Sequence, residues 1–115
     1  MSIVIDPAAT AAALFDMDGT LVDSSAAVHV AWGEFAERHG LDAPELLAHV
    51  HGVRAVDTVR RFVPSADVVA ETERLLAREI ALVDRVTAIP GAVELLAALP
   101  AAGVPTAIVT SAPRD

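Results

Sequence analysis

The chain has 115 residues, of which 54% are hydrophobic and 3% aromatic, and its formal net charge is −8. This length allows one domain at most, with a modest core built from aliphatic side chains and alanine. The acidic balance argues against nucleic acid as a partner, because such binding rests on clustered Lys and Arg. The absence of cysteine excludes disulfides and thiolate metal sites.

The sequence also bears on where the protein acts. The first ten residues carry no basic side chain, so we expect no secretory signal. No apolar run is long enough to span a bilayer, so we expect no membrane partner. A chain without cysteine fits a reducing compartment, and we predict a cytoplasmic protein.

The first predicted element is a buried strand over residues 11–15, and acidic residues follow it directly. Asp16 and Asp18 lie where this strand ends, outside the carboxyl end at which open α/β sheets bind ligands. Two carboxylates so close repel each other unless a cation shares the site, and Mg²⁺ suits oxygen donors of this kind. In that arrangement Asp16 can attack a phosphoryl group, while Asp18 protonates the leaving alcohol and then activates water.

Gly19 and Thr20, the two residues after Asp18, are suited to binding an anion. Gly19 allows backbone N–H groups to approach a phosphate closely, and Thr20 adds a hydroxyl. The alternative interpretation of this segment is an acidic turn after a strand, with no catalytic role.

Five helices and a second buried strand are predicted downstream. The helix periodicity places Trp32 in a core, Gly40 at a C-cap, and His39 on the surface beside the helix end. A helix over 66–84, capped by Ser65, is expected to bury one apolar stripe, formed by Val69, Leu76, Ile80 and Val83. The predicted ranges are 25–39, 42 to 49 or 51, 54–62, 66–84 and 92–99 for the helices and 106–110 for the second strand.

The run DMDGTLVDS at residues 16–24 resembles the first motif of the haloacid dehalogenase (HAD) superfamily, in the form found in its phosphatases. The resemblance implies that Asp16 is the nucleophile and Asp18 the general acid/base. It also implies a Mg²⁺ ion held by the Asp16 carboxylate, the Asp18 backbone carbonyl and a later acidic residue.

Two further segments resemble parts of the same family. The run VTSAP at 109–113 is similar to its second motif, which implies that Thr110 and Ser111 hold the phosphate; a plain strand-end turn is the alternative. His51, Gly52 and Arg54 resemble a cap loop that recognises substrate, either at sugar hydroxyls or at a distal phosphate. Here the alternative is an ordinary turn between helices whose polar side chains face solvent.

The implied fold is α/β, with part of a Rossmann-like core over 1–24 and 87–115. A four-helix cap is predicted over 25–86, inserted after the first motif. In the family, the second motif is followed by a third, a Lys or Arg, and by a fourth, an acidic group. This chain contains no lysine, and Arg114 is its only basic residue after the second motif. The sequence therefore resembles the N-terminal half of a family member.

The resemblance implies a Mg²⁺-dependent phosphatase that acts through an aspartyl-phosphate intermediate. Its partner would be a small phosphorylated metabolite, namely a sugar phosphate, a polyol phosphate or phosphoglycolate. One alternative is a phosphotransferase similar to β-phosphoglucomutase, and another is an inactive truncated fragment. The oligomeric state does not follow from the sequence.

Overall fold

The computed structural model describes residues 4–112, so the expectations for Pro113 and Arg114 lie outside the described residues. None of the helices in this part of the chain is long and apolar enough to cross a membrane. Short 3₁₀ turns occupy Pro7–Ala9 and Val83–Arg85. The other elements are, in chain order, β1 (Ala13–Phe15), β2 (Val22–Asp23), α1 (Ser25–His39), α2 (Ala43–Leu47), α3 (Ala55–Phe62), α4 (Val68–Ala81), β3 (Thr87–Ala88), α5 (Ala92–Ala101) and β4 (Thr106–Ile108).

The chain falls into two compact units. The strand unit comprises residues 4–23 and 88–110, and the helical unit comprises residues 24–87 with 111 and 112. The assignment of these segments as a Rossmann-like core and an inserted cap remains a prediction.

The strand unit contains the parallel pair that the sequence predicts. β1 pairs with β4 in the register Phe15 to Ile108, and α5 provides the crossover connection that parallel strands require. Two hydrogen bonds extend the ladder beyond both ends: the Ala13 N–H donates to the Pro105 carbonyl at 2.9 Å, and the Val109 N–H donates to the Phe15 carbonyl at 2.7 Å. This α/β arrangement with parallel strands confirms the predicted fold class. β2 and β3 form a separate two-stranded sheet.

The expectation that β1 and β4 are buried is wrong for the described chain. Leu14 is 71% exposed and Ile108 is 54% exposed. The physical reason is that each strand has one neighbour in this sheet, so both are edge strands and their side chains lack the cover that buries a central parallel strand.

The helix α5 is two residues longer than predicted, because Pro100 does not end it. Pro100 lies near the last turn, where a missing N–H removes only one helical bond. The Ala102 N–H still donates to the Ala98 carbonyl, and Gly103 then ends the helix with a positive φ of 82°.

The helical unit has its own hydrophobic core, to which each of its four helices contributes one large side chain that is fully buried. These residues are Phe35, Leu46, Val59 and Leu75. Trp32 packs edge-on against Phe35 with ring centroids 5.4 Å apart, which confirms its predicted place in a core.

The predicted bounds of α1 are confirmed, whereas those of α2 and α4 are wrong. α2 ends at Leu47, because the His49 N–H donates to the Leu46 carbonyl, three residues back, at 3.0 Å and does not continue the α-helical pattern. The Glu45 carbonyl also lies 2.9 Å from His49 Nδ1. α4 begins two residues later than predicted, since Asp67 rather than Ser65 caps it by accepting the Ala70 N–H at 3.1 Å.

The predicted apolar stripe of α4 is also wrong. Val69 and Ile80 are 64% and 58% exposed, and Val83, beyond the end of the helix, is exposed as well. The buried residues of α4 are instead Thr72 and Leu75. The Thr72 hydroxyl donates to the Val68 carbonyl at 2.6 Å. A polar residue can occupy this face because its hydroxyl is satisfied within the helix.

Two ion-pair clusters join α1 to α4 in the helical unit. The Glu71 carboxylate accepts a hydrogen bond from Arg38 at 2.9 Å and lies 2.8 Å from His39 Nε2. The Glu34 carboxylate accepts two bonds from Arg78, both at 2.8 Å. His39 is therefore not a plain surface residue, since its ring also packs on Phe35.

Glu71 is expected to make the stability of the helical unit sensitive to acid. Hydrogen bonds from Arg38 and then His39 lower the pKa of Glu71 from 4.5 to about 2. Because the folded-state pKa is the lower one, this stabilisation is present above pH 4.5 and is lost as the pH falls towards 2. We predict that Glu71→Gln lowers the free energy of unfolding by about 1 kcal/mol at pH 7.

Urea denaturation followed by the fluorescence of Trp32 measures this effect, since Trp32 is the chain's one tryptophan and lies in the helical unit. The matched control is Glu73→Gln, which removes the same charge from an exposed position of the same helix. Equal losses for both variants, or an unchanged pH dependence between 4.5 and 2 for Glu71→Gln, would contradict the assignment.

Candidate active site

The acidic loop (residues 16–22) wraps around one carbonyl oxygen. The Met17 carbonyl accepts the N–H groups of Thr20, Leu21 and Val22 at 3.2, 2.9 and 3.1 Å. Gly19 allows this tight turn because it adopts a φ of 76°, and its own N–H donates to the Val22 carbonyl at 2.8 Å. The loop is thus fixed by its backbone immediately after β1.

Asp16 is the first residue after β1, at the carboxyl end of the strand, and it is exposed. One of its carboxylate oxygens, Oδ1, accepts the Met17 N–H at 2.9 Å. This bond orients the carboxylate and leaves Oδ2 without a hydrogen-bond partner among residues 4–112. Asp18 is also exposed, and its backbone pairs with Val22 in an isolated bridge.

The backbone N–H groups of Gly19 and Thr20 are both used within the acidic loop. The expectation that Gly19 lets backbone N–H groups approach an anion closely stays a prediction. The donor that Thr20 retains is its hydroxyl, on an exposed side chain. A phosphate contact from this pair would therefore come from the Thr20 side chain.

Thr110 leaves the sheet at the same edge as Asp16. Phe15 pairs with Ile108, and the Val109 N–H donates to the Phe15 carbonyl, so the chain after β4 runs beside the start of the acidic loop. Parallel strands end at one edge, and this register brings the first and second candidate motifs there together. Thr110 and the next residue, Ser111, are both exposed.

The third candidate segment is the arginine loop (residues 51–54), which belongs to the helical unit. His51, Gly52 and Arg54 are all exposed, and Gly52 adopts a φ of 70° between α2 and α3. The Arg54 side chain does not extend freely into solvent. It forms two hydrogen bonds with Asp57, from Nε at 2.8 Å and from Nη2 at 3.2 Å.

The sequence did not predict that Arg54 pairs with Asp57. The available signal was its position three residues after Arg54 at the start of a predicted helix, where opposite charges meet on one face.

The acidic loop offers part of a metal site. Among residues 4–112, no three His, Asp or Glu side chains are grouped closely enough to hold an ion by themselves. Asp16 and Asp18 supply hard oxygen donors two positions apart. Mg²⁺ binds through one or two carboxylates together with phosphate and water, so this pair fits part of a magnesium site.

Comparison with known proteins identifies related sequences. A model of haloacid dehalogenase-like hydrolases matches residues 10–115. Hexitol phosphatase A of Escherichia coli is 50% identical over 101 residues, which cover 85% of this chain and 47% of that protein. 2-Deoxyglucose-6-phosphate phosphatase 2 of Saccharomyces cerevisiae is 38% identical over 90 residues, which cover 75% of this chain and 36% of that protein.

A solved structure of a hydrolase from Pseudomonas syringae has the same fold over most of the chain. It superposes with a TM-score of 0.75 at 26% identity and covers 90% of this chain and 50% of that one. The chain thus spans half or less of the length of these three proteins.

The positive φ of Gly19 makes the acidic loop intolerant of a side chain, although a Cβ atom at this position would have no other atom within 4 Å. We predict that Gly19→Ala destabilises the loop by about 1 kcal/mol through backbone strain alone. Hydrogen exchange of the Leu21 and Val22 amides, which donate to the Met17 carbonyl, should become about fivefold faster.

Gly33→Ala is the matched control, because Gly33 lies within α1 at an ordinary helical φ and also has open space around its Cβ position. Alanine should stabilise that helix. Unchanged exchange in the acidic loop of Gly19→Ala would show that the positive φ is not a constraint.

Proposed function

We propose that this chain, which belongs to the haloacid dehalogenase-like hydrolase family, carries the nucleophile of a Mg²⁺-dependent phosphatase acting on a small phosphorylated sugar or polyol. The observation that carries the proposal is the parallel register of β1 and β4, which brings the segments of Asp16 and Thr110 to one edge of the sheet. A nucleophile and a phosphate-binding hydroxyl at one edge are what phosphoryl transfer requires.

In the proposed reaction, Asp16 attacks the phosphorus atom through Oδ2. The bond from phosphorus to the substrate's alcohol oxygen breaks, and Asp18 gives that oxygen a proton. Asp18 then takes a proton from a water molecule, whose oxygen attacks phosphorus and releases inorganic phosphate and the Asp16 carboxylate. The Met17 N–H, bound to Oδ1, holds the carboxylate in one orientation throughout.

The phosphate would be held by hydrogen-bond donors at the same edge of the sheet. The Thr110 hydroxyl and the Ser111 backbone N–H are proposed to bind one non-bridging oxygen. Thr20 offers its hydroxyl from the acidic loop, while Gly19 shapes the turn that presents it.

Asp16, through its carboxylate, and Asp18, through its backbone carbonyl, would hold Mg²⁺, whose charge would offset that of the phosphate. Both residues are exposed, so water molecules can complete the coordination.

The substrate class is proposed from the relatives and from the arginine loop. One relative is named for hexitol phosphates and another for 2-deoxyglucose 6-phosphate, both small phosphorylated polyols or sugars. His51 and Arg54 are exposed hydrogen-bonding groups at the Gly52 turn, and they suit the hydroxyls of such a substrate.

The direct test is phosphate release by the whole protein from sorbitol 6-phosphate, with and without Mg²⁺. We predict turnover that needs Mg²⁺ and falls by about 1,000-fold or more in Asp16→Asn, because an amide cannot act as the nucleophile. Measuring sorbitol and inorganic phosphate together separates a phosphatase from a phosphotransferase, which would return a rearranged sugar phosphate.

Asp6→Asn serves as the matched control in the same unit. Asp6 caps the 3₁₀ turn by accepting the Ala8 N–H at 2.9 Å, and Asn caps equally well. Full activity in Asp16→Asn, or equal losses in both variants, would refute the role of Asp16.

A further inference from the structure

Asp18 and Gly19 form the one Asp-Gly pair of the chain, and the chain contains no asparagine. An aspartate followed by glycine cyclises to a succinimide more readily than other aspartates, because glycine has no Cβ atom to hinder its own nitrogen. Both residues are exposed, so water reaches them. The acidic loop therefore contains the position of the chain at which this spontaneous reaction is chemically easiest.

The reaction requires only this segment and water. The Gly19 nitrogen attacks the carboxyl carbon of the Asp18 side chain, and the carboxyl OH group leaves with the amide proton as water. A second water molecule then opens the succinimide ring at either carbonyl. Opening at the side-chain carbonyl restores aspartate. Opening at the main-chain carbonyl gives isoaspartate, in which the backbone runs through the former side chain.

The acidic loop holds the attacking nitrogen in an unreactive state. The Gly19 N–H donates to the Val22 carbonyl at 2.8 Å, and this bond keeps the proton on the nitrogen. The Asp18 backbone also pairs with Val22 in an isolated bridge. Because the nitrogen must lose its proton to attack, the bond between Gly19 and Val22 has to break first.

A buried side chain opposes this opening. Leu21 lies between the two residues that form the protecting bond, and its side chain is 5% exposed. The Leu21 carbonyl also accepts the Ile89 N–H at 2.9 Å, which ties the acidic loop to the segment before α5. Opening of the loop is therefore coupled to the release of packed and hydrogen-bonded groups, which keeps the open form rare.

We propose that Asp18 is a site of isoaspartate formation and that opening of the acidic loop limits the rate of this modification. Isoaspartate adds one carbon atom to the backbone of the loop and shortens the side group. The carboxylate and the carbonyl of Asp18 then leave the positions in which the proposed function uses them. Only this loss of activity rests on the proposed function, whereas the formation of isoaspartate follows from the loop itself.

The test measures isoaspartate in the whole protein after ageing at physiological pH and temperature. Aspartate and isoaspartate have the same mass, so electron-transfer fragmentation of the peptide containing Asp18 is used to distinguish them. A short synthetic peptide with the sequence of residues 14–24 gives the rate without a folded loop. We expect the protein to form isoaspartate at least about tenfold more slowly than this peptide, because attack is confined to the open loop.

Leu21→Ala should accelerate isoaspartate formation in the protein by about tenfold, because the loss of a buried side chain favours the open loop. Hydrogen exchange of the Gly19 amide in the same samples reports the opening, and both rates should rise by the same factor. Leu21→Val leaves a smaller cavity and should give an intermediate rate, which keeps the comparison available if Leu21→Ala does not fold.

Leu95→Ala is the matched control, since it makes the same change in the strand unit at a side chain that is 39% exposed. Its rate should stay close to that of wild type. An equal acceleration in this control would overturn the inference, because the effect would then come from the stability of the whole unit.

Equal rates in the folded protein and in the peptide would also overturn the inference, as would variants of Leu21 in which isoaspartate formation does not follow exchange of the Gly19 amide. None of these measurements uses turnover. A protein that releases no phosphate would refute the proposed function, and the isoaspartate rates would still decide this inference.

Discussion

The parallel pairing of β1 with β4 is the constraint on which the candidate active site depends. Each strand ends in a short polar segment, and only a parallel register brings the two ends to one edge of the sheet. The bond from the Val109 N–H to the Phe15 carbonyl continues this pairing to the residue before Asp16. The acidic loop then closes on the Met17 carbonyl, so the carboxylate is held by backbone geometry and needs no large core around it.

The helical unit, in contrast to the acidic loop, is stabilised by a hydrophobic core. Each of its four helices contributes a large, fully buried side chain to the core, and ion pairs between α1 and α4 reinforce it at the surface. A short turn between two of these helices carries His51 and Arg54, and the first turn of α3 fixes Arg54 through Asp57. The Arg54–Asp57 pair lies at the surface, so its substitution should leave the core undisturbed.

The sequence predicts a candidate site but does not reveal the hydrogen bonds within it. The run at residues 16–24 and the strand before Thr110 placed both candidate motifs, and the stripe of α1 with Gly40 predicted that helix to the residue. The start of α4 was missed because Ser65 and Asp67 are both good caps, and only packing selects between them.

Two other features depend on packing and side-chain conformation, which residue spacing does not determine. The alanine-rich pattern of α4 fits more than one buried face, and the structure buries Leu75 with Thr72 instead of the more apolar stripe. The pairing of Arg54 with Asp57 depends on the conformation of a long side chain, which their spacing permits without requiring it.

The most direct test of the central claim is to look for a phosphoryl group on Asp16. The whole protein carrying Asp18→Asn would be incubated with Mg²⁺ and an aryl phosphate, whose leaving group does not need a proton from Asp18. The reaction would be quenched in acid and digested, and the peptide containing Asp16 analysed by mass spectrometry. We predict a mass increase of one phosphoryl group on that peptide, because Asp18 would no longer activate the water that hydrolyses the intermediate. Phosphate release with no labelled Asp16, or a label on another residue, would contradict the account.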